Sequence, residues 1–230
     1  MASKLTRGVA VAAAMAAFLL LAASGPSVRF DLLGYRWGLT LFAWAFYAGL
    51  AAAALAVAVL AWPAARVRGI GLPVVSLILG LAVAYVPFQF RQTARAVPPI
   101  NDITTDTEDP PQYMTGRKPY PGAEFARQQR AAYPDIVPSV VYLPRAQAFA
   151  RASLAAEAMG WEVVGRDAAA GTLEAVDATK WFGFRDDIAI RVTPSGEGQT
   201  RIDVRSKSRV GRSDLGTNAD RIRAYLQRLK

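Results

Sequence analysis

Apolar and polar positions divide the chain into two regimes. Residues 8–24, 37–62 and 69–89 are runs of 17, 26 and 21 residues without a charge. About 20 apolar residues in a helix cross about 30 Å of hydrocarbon, so the second and third runs are long enough to span and the first is marginal. Trp37 and Trp62 bracket the second run, and Tyr85, Phe88 and Phe90 close the third, as amphipathic rings do at headgroup depth. Small residues (Ala43, Ala45, Ala48, Gly49 and Ala51 to Ala54) fill the second run and suit close helix packing. Lys4 and Arg7 ahead of the first run, with Ala22-Ala23-Ser24 at its end, also resemble a signal peptide. The two spans that follow directly favour an uncleaved first span.

From residue 139 the period changes. Residues 139–143 read as a short strand. Pro144 suits a helix's first turn, and Phe149, Ala152, Ala156 and Met159 recur three to four apart in a helix closed by Gly160. Residues 161–167 and 172–178 read as strands around a turn. Residues 187–193 and 200–210 alternate, with Ile188, Ile190, Val192, Ile202 and Val204 on one face. A last helix starts at Thr217, which with Asp220 resembles a capping box, and carries Ile222, Tyr225, Leu226 and Leu229 on one side. Short turns between strands give an antiparallel sheet, and two helices with one apolar face each cover the same side of it. The fold class read from this is an α-helical membrane anchor of three spans plus a small α+β domain, an antiparallel sheet with two helices on one face. The divisions are an anchor at 1–90, a Pro-rich extended connector at 91–138 and the α+β domain at 139–230. Proline fixes φ and disfavours helix before it, so the connector should hold little regular structure beyond a short helix at 123–132.

Composition narrows the chemistry. The chain has no His and no Cys, which removes disulfides, thiol nucleophiles, imidazole bases and His-ligated metals. No cofactor is expected. None of the spans carries an Asp, Glu, Lys or Arg, which counts against an ion-coupled transporter. The net charge is +9, but no basic-aromatic platform accompanies it, so nucleic acid is not an expected partner. Basic residues tie on orientation, Lys4, Arg7, Arg66 and Arg68 against Arg29, Arg36, Arg91 and Arg95. With the N-terminus inside, three spans leave the C-terminal part outside; so do the last two after a cleaved signal. The expected location is a membrane, multi-pass, with the lipid bilayer as first partner and the C-terminal domain outside the cytoplasm.

Three polar stretches hold the candidate site residues. By period two, Arg201, Asp203, Arg205, Lys207 and Arg209 share a face, with Arg191 beside them. This is either the wet side of a half-buried sheet or a surface for an anionic lipid or glycan. The turn after that strand, with Arg205, Ser208, Arg209, Arg212, Asp214 and Asn218, leads into a helix N-terminus, where free N–H groups favour an anion. Alternatively Asp214 and Thr217 cap that helix, and Asp186 pairs internally with Arg209. The stretch Trp181 to Asp187 brings Asp186 and Asp187. The acidic run from Asn101 to Pro111, with Asp102 and Asp106, suits side-chain turns or a hard cation, although its spacing is not that of an EF-hand.

These three stretches together resemble the bacterial and plastid family called domain of unknown function 1499, in its membrane-anchored bacterial form, over 100–230. Many members carry a Cys after the first Asn; here that place is Asp102, so no thiol role transfers. The resemblance implies a boundary near residue 90 and envelope placement. It draws attention to Asn101, Asp102, Asp106, Asp186, Asp187, Arg205, Arg209, Asp214 and Asn218, and it supplies no reaction. Three functions compete. The first is a non-enzymatic envelope protein whose domain binds a partner or anionic ligand. The second is a hydrolase or transferase using Asp102, Asp106, Asp186 and Asp214, with or without a divalent metal. The third is a structural subunit of a larger complex with a membrane-protein partner.

Overall fold

The computed structural model describes residues 2–63, 69–116 and 119–230. Arg66 and Arg68 of the orientation tally lie outside the described residues. The chain forms two compact units, one of Met1–Thr93 with Lys180–Gly183, the other of Ala94–Thr179 with Phe184–Lys230.

The first unit is built on α1 (Ala2–Arg29), α2 (Tyr35–Ala61) and α3 (Gly71–Ala96). All three are long and apolar enough to cross a membrane, and the chain reads as a membrane-spanning protein. The marginal first run gains length because helix continues on both sides of it, passing through Ala22-Ala23-Ser24 to Arg29. Small residues set the packing. Ala17, Ala45 and Val83 form one buried contact among the helices, flanked by Leu20, Leu21, Ala48 and Leu79. A Cβ on Gly49 would lie 2.7 Å from the Gly80 carbonyl oxygen, and one on Gly80 2.7 Å from that of Gly49. Only glycine permits this approach, as expected where lipid tails leave helices no hydrophobic drive to associate. Trp37, Trp44, Tyr47, Trp62, Ile78 and Leu81 face outward.

The second unit is an antiparallel sheet with helices. Its strands are β1 (Asp102–Thr104), β2 (Ser139–Val141), β3 (Glu162–Asp167), β4 (Thr172–Ala178), β5 (Arg185–Gly196) and β6 (Gln199–Ser208). The order is β1-β6-β5-β4-β3, with β2 also paired to β6. Thus β1 and β2 share one edge, β1 against residues 205–207 and β2 against 200–202. The helices are α4 (Ala123–Ala132), α5 (Arg145–Ala158) and α6 (Thr217–Arg228). The expected alternation holds: Ile188, Ile190, Val192, Ile202 and Val204 meet Ala148, Phe149, Ala152 and Ala156 of α5 and Ile222 and Tyr225 of α6 in one core. Trp161 stacks on Tyr225 with ring centroids 5.1 Å apart.

Two local expectations change. The Pro-rich segment contributes β1 as well as the foreseen α4, because Asp102 to Thr104 find their strand partner in β6, a hundred residues later. Thr217 is also not the N-cap of α6. Gly216, in the left-handed region at φ 83°, takes that position. The Asp214 carboxylate accepts from the backbone N–H groups of Gly216 and Asn218, each at 2.9 Å. Asp220 instead pairs with Arg223.

Candidate functional site

Antiparallel pairing sorts the site residues by face, since residues directly opposite share one. The pairs Asp102–Lys207, Thr104–Arg205, Ala189–Arg205, Arg191–Asp203 and Asp187–Lys207 place these side chains on the face away from the helices. The pairs Asp186–Ser208, Asp177–Asp186 and Ile188–Ser206 belong to the helix face. Asp186 and Asp187 are neighbours in sequence and therefore serve opposite sides of the sheet.

On the outer face the arginines are paired with carboxylates; Arg205 is fully buried, Arg191 and Arg201 are partly buried and Arg209 stays exposed. The Arg205 Nε and Nη2 donate to the two oxygens of Asp102, both at 2.8 Å, and Nη1 donates to the Pro111 carbonyl at 3.3 Å. The rings of Tyr113 and Tyr120 lie 5.0 and 5.5 Å from the guanidinium carbon, within cation–π range. Lys207 adds a third contact to Asp102 at 2.8 Å. Burial works against the Arg205 charge, but the Asp102 carboxylate outweighs it and holds the guanidinium above its ordinary value. Burial raises the Tyr113 hydroxyl strongly, and that of Tyr120 to about 12, so both rings stay neutral.

The rest of the array is bound in the same way. Arg209 meets Asp187, with Nε and Nη2 at 3.0 and 2.8 Å from Oδ1. The expected Asp186–Arg209 pair is therefore replaced by Asp187–Arg209, because Asp186 points to the other face. Arg191 and Arg201 both contact Asp106 and the fully buried Asp203, and Arg191 also reaches Asp109. The acidic run predicted as turns or a cation site supplies Asp102, Asp106 and Asp109 to these arginines. Asp106 also accepts from the N–H groups of Glu108 and Asp109, a side-chain turn. Gln129 of α4 fastens the segment: its amide accepts from Thr104 N–H at 3.0 Å and donates to Thr104 C=O at 2.6 Å. Glu174, buried on β4, accepts from the backbone N–H and hydroxyl of Thr115. Neither Gln129 nor Tyr113 stands out in the sequence, and Glu174, which with Asp203 is a sequence candidate to offset the basic face, is held by Thr115. Gln129 sits inside the polar run Arg127 to Arg130, so nothing in the sequence separates it from its solvent-facing neighbours.

On the helix face Asn218 is the hub. Its Oδ1 accepts from Ser206 Oγ and Arg221 Nη1, each at 2.6 Å. Its Nδ2 donates to the Asn101 carbonyl at 3.2 Å and to Ser208 Oγ at 3.0 Å. Asn101 in turn donates to the Gly211 carbonyl at 2.7 Å. Arg221, unforeseen, reaches Asp186 Oδ2 at 2.7 Å and Asp177 Oδ2 at 2.8 Å. The helix N-terminus expected to attract an anion already holds one, the Asp214 carboxylate. Arg212 is exposed and belongs to none of the ion pairs found among the described residues.

Among the described residues no three carboxylates converge in a metal-binding geometry. An open concavity lies elsewhere, between β2 and α6, with a volume of about 420 Å³; Val137, Pro138, Val140 and Leu226 line it with Asp135, Arg223 and Lys230. A family model, Protein of unknown function (DUF1499), matches residues 102–229. No curated protein matches the chain.

Proposed function

The chain belongs to the DUF1499 family of proteins of unknown function, and from that premise we propose that it is a non-enzymatic bacterial envelope protein. Three helices hold it in the inner membrane, and its α+β domain, on the periplasmic side, binds a partner protein. The observation that carries this reading is mutual occupancy. Asp102 pairs with Arg205, Asp187 with Arg209, Asp186 with Arg221, and Asp106 and Asp203 with Arg191 and Arg201. A general acid or base has to reach a reactant, and an anion site needs donors that no internal carboxylate already holds. Both requirements favour a recognition module over a carboxylate hydrolase or an arginine-lined lipid site.

The cleft between β2 and α6 supplies the surface. Val137 and Val140 are half exposed there, beside the Asp135–Arg223 ion pair. An apolar floor with a polar rim is the ordinary composition of a protein-binding surface. A photo-crosslinking residue placed at Val140 and at Gln227, with Glu197 as the control, tests this in intact membranes. Discrete adducts at the two cleft positions and none at Glu197 are expected. Equal adducts at all three positions, or none in the cleft, overturn the assignment.

A further inference from the structure

The helix face of the sheet carries a polar cluster whose charges do not balance. Asp177 of β4 and Asp186 of β5 are direct cross-strand partners, a placement in which like charges repel. Both lean on one guanidinium, Arg221 of α6, at 2.8 and 2.7 Å. Asp214, from the loop before α6, is a third carboxylate close enough for the Asp186 charge to be felt there. It is met only by backbone amides and Asn218. The other neighbours, Ser206, Ser208, Asn218 and Asn101, are neutral. Asp187, the next residue on β5, turns to the opposite face and Arg209. One cation therefore faces three acids.

The hydrogen bonds show where the imbalance settles. The side chain of Asp186 is almost fully buried. Its Oδ2 takes the Arg221 N–H, while its Oδ1 is buried and makes no hydrogen bond of ordinary length and angle, the nearby Ser208 hydroxyl being the one group placed to reach it. Asn218 commits both amide hydrogens, one of them to Ser208 Oγ, the cross-strand neighbour of Asp186. A bare carboxylate oxygen in such a place is costly. A carboxylic acid there has a hydrogen to offer toward Ser208 and still accepts from Arg221 through its other oxygen.

We propose that Asp186 is a buried proton site, and that the proton it holds stabilises the seating of α6 on the sheet. Burial is the chief cause raising the Asp186 carboxyl above the ordinary carboxylate range, and Asp177 adds to it; Arg221 and Ser208 oppose without cancelling it. Asp214 is raised as well, again chiefly by burial. A carboxyl raised in the folded state gives stability that is complete below its unfolded pKa and is lost as pH rises through its folded pKa. The seating of α6 thus weakens toward alkaline pH. The penalty grows by up to about tenfold in the unfolding equilibrium for each pH unit between the two pKa values.

The test uses the full chain in detergent. Asp186→Asn keeps the shape and replaces the titrating hydrogen with a permanent N–H donor. The wild type should melt at lower temperature as pH rises from about 5 to about 9. D186N should lose most of that slope and, at the alkaline end, melt at or above the wild type. Asp214→Asn, with Asp186 intact, should retain a slope. If D186N melts below the wild type throughout with an unchanged slope, Asp186 is an ionised partner of Arg221 and the proposal fails. Should D186N not fold, infrared spectra of Asp214→Asn decide. A protonated-carboxyl band that disappears on alkaline titration supports the proton site, and absence of that band across the range overturns it.

Discussion

Arg205 is the side chain on which the outer face of the sheet depends. It is fully buried, and its two partners across the sheet and connector, Asp102 and the Pro111 carbonyl, use three of its nitrogens. Taking Asp102 away leaves the buried guanidinium without its carboxylate, and taking Arg205 away leaves Asp102 with Lys207 alone, a loss of about 3–5 kcal/mol for a buried pair. Asp102→Ala and Arg205→Ala should each lower stability by that order in chemical unfolding of the full chain. Arg205→Lys should recover little of it, since an ammonium cannot make the bidentate contact to Asp102. A change within about 0.5 kcal/mol for Asp102→Ala, the size ordinary for a surface site, would show that the pair is not desolvated in solution. The same logic separates Arg209 from Arg212. Arg209→Ala removes a bidentate guanidinium from the buried carboxylate of Asp187, whereas Arg212 belongs to no ion pair found among the described residues.

At the scale of elements, the segment ahead of residue 139 is part of the fold it was expected to tether. β1 pairs with β6, Gln129 of α4 holds both backbone groups of Thr104, and Ile100, Ile103, Tyr133 and Ile136 lie in the main core. A fragment of residues 139–230 lacks all of these and leaves Arg205, Arg191 and Arg201 without Asp102 and Asp106. It should be insoluble or unfold without a cooperative transition, while a fragment of residues 94–230 should be soluble and unfold cooperatively. Cooperative unfolding of the shorter fragment would mean that β1 and α4 are accessories. The strands and helices after residue 139 were legible because their periods of two and three to four extend over many residues, as in Ile188, Ile190 and Val192. β1 was not, because Asp-Ile-Thr has no period of its own and only its partner strand makes it a strand. The Asp187–Arg209 pairing was available in principle. Adjacent strand residues face opposite ways, so the parity that groups Arg205 with Arg209 also selects Asp187 over Asp186. That the acids of the 101–111 run fold back over the arginines was not readable, since no local pattern encodes a contact between segments a hundred residues apart.

For the whole molecule, the spans were the most legible feature and their direction the least. Freedom from charge over 17 to 26 residues identifies a membrane helix almost regardless of context, whereas orientation rests on a few basic residues that here divide evenly. Topology has to be argued from span number. An N-terminus that begins inside and crosses three times delivers residues 94–230 to the outside, and removal of the first segment as a signal leaves two crossings with the same result. A C-terminal alkaline phosphatase fusion, active only where it is exported, should therefore be active, and a fluorescent protein fused at the same position, which does not mature when exported unfolded, should be dark. The reverse pattern would place the domain in the cytoplasm. It would also remove the periplasmic partner from the proposed function, while leaving the ion pairs and the buried proton of Asp186 untouched, because these depend only on contacts within the α+β unit.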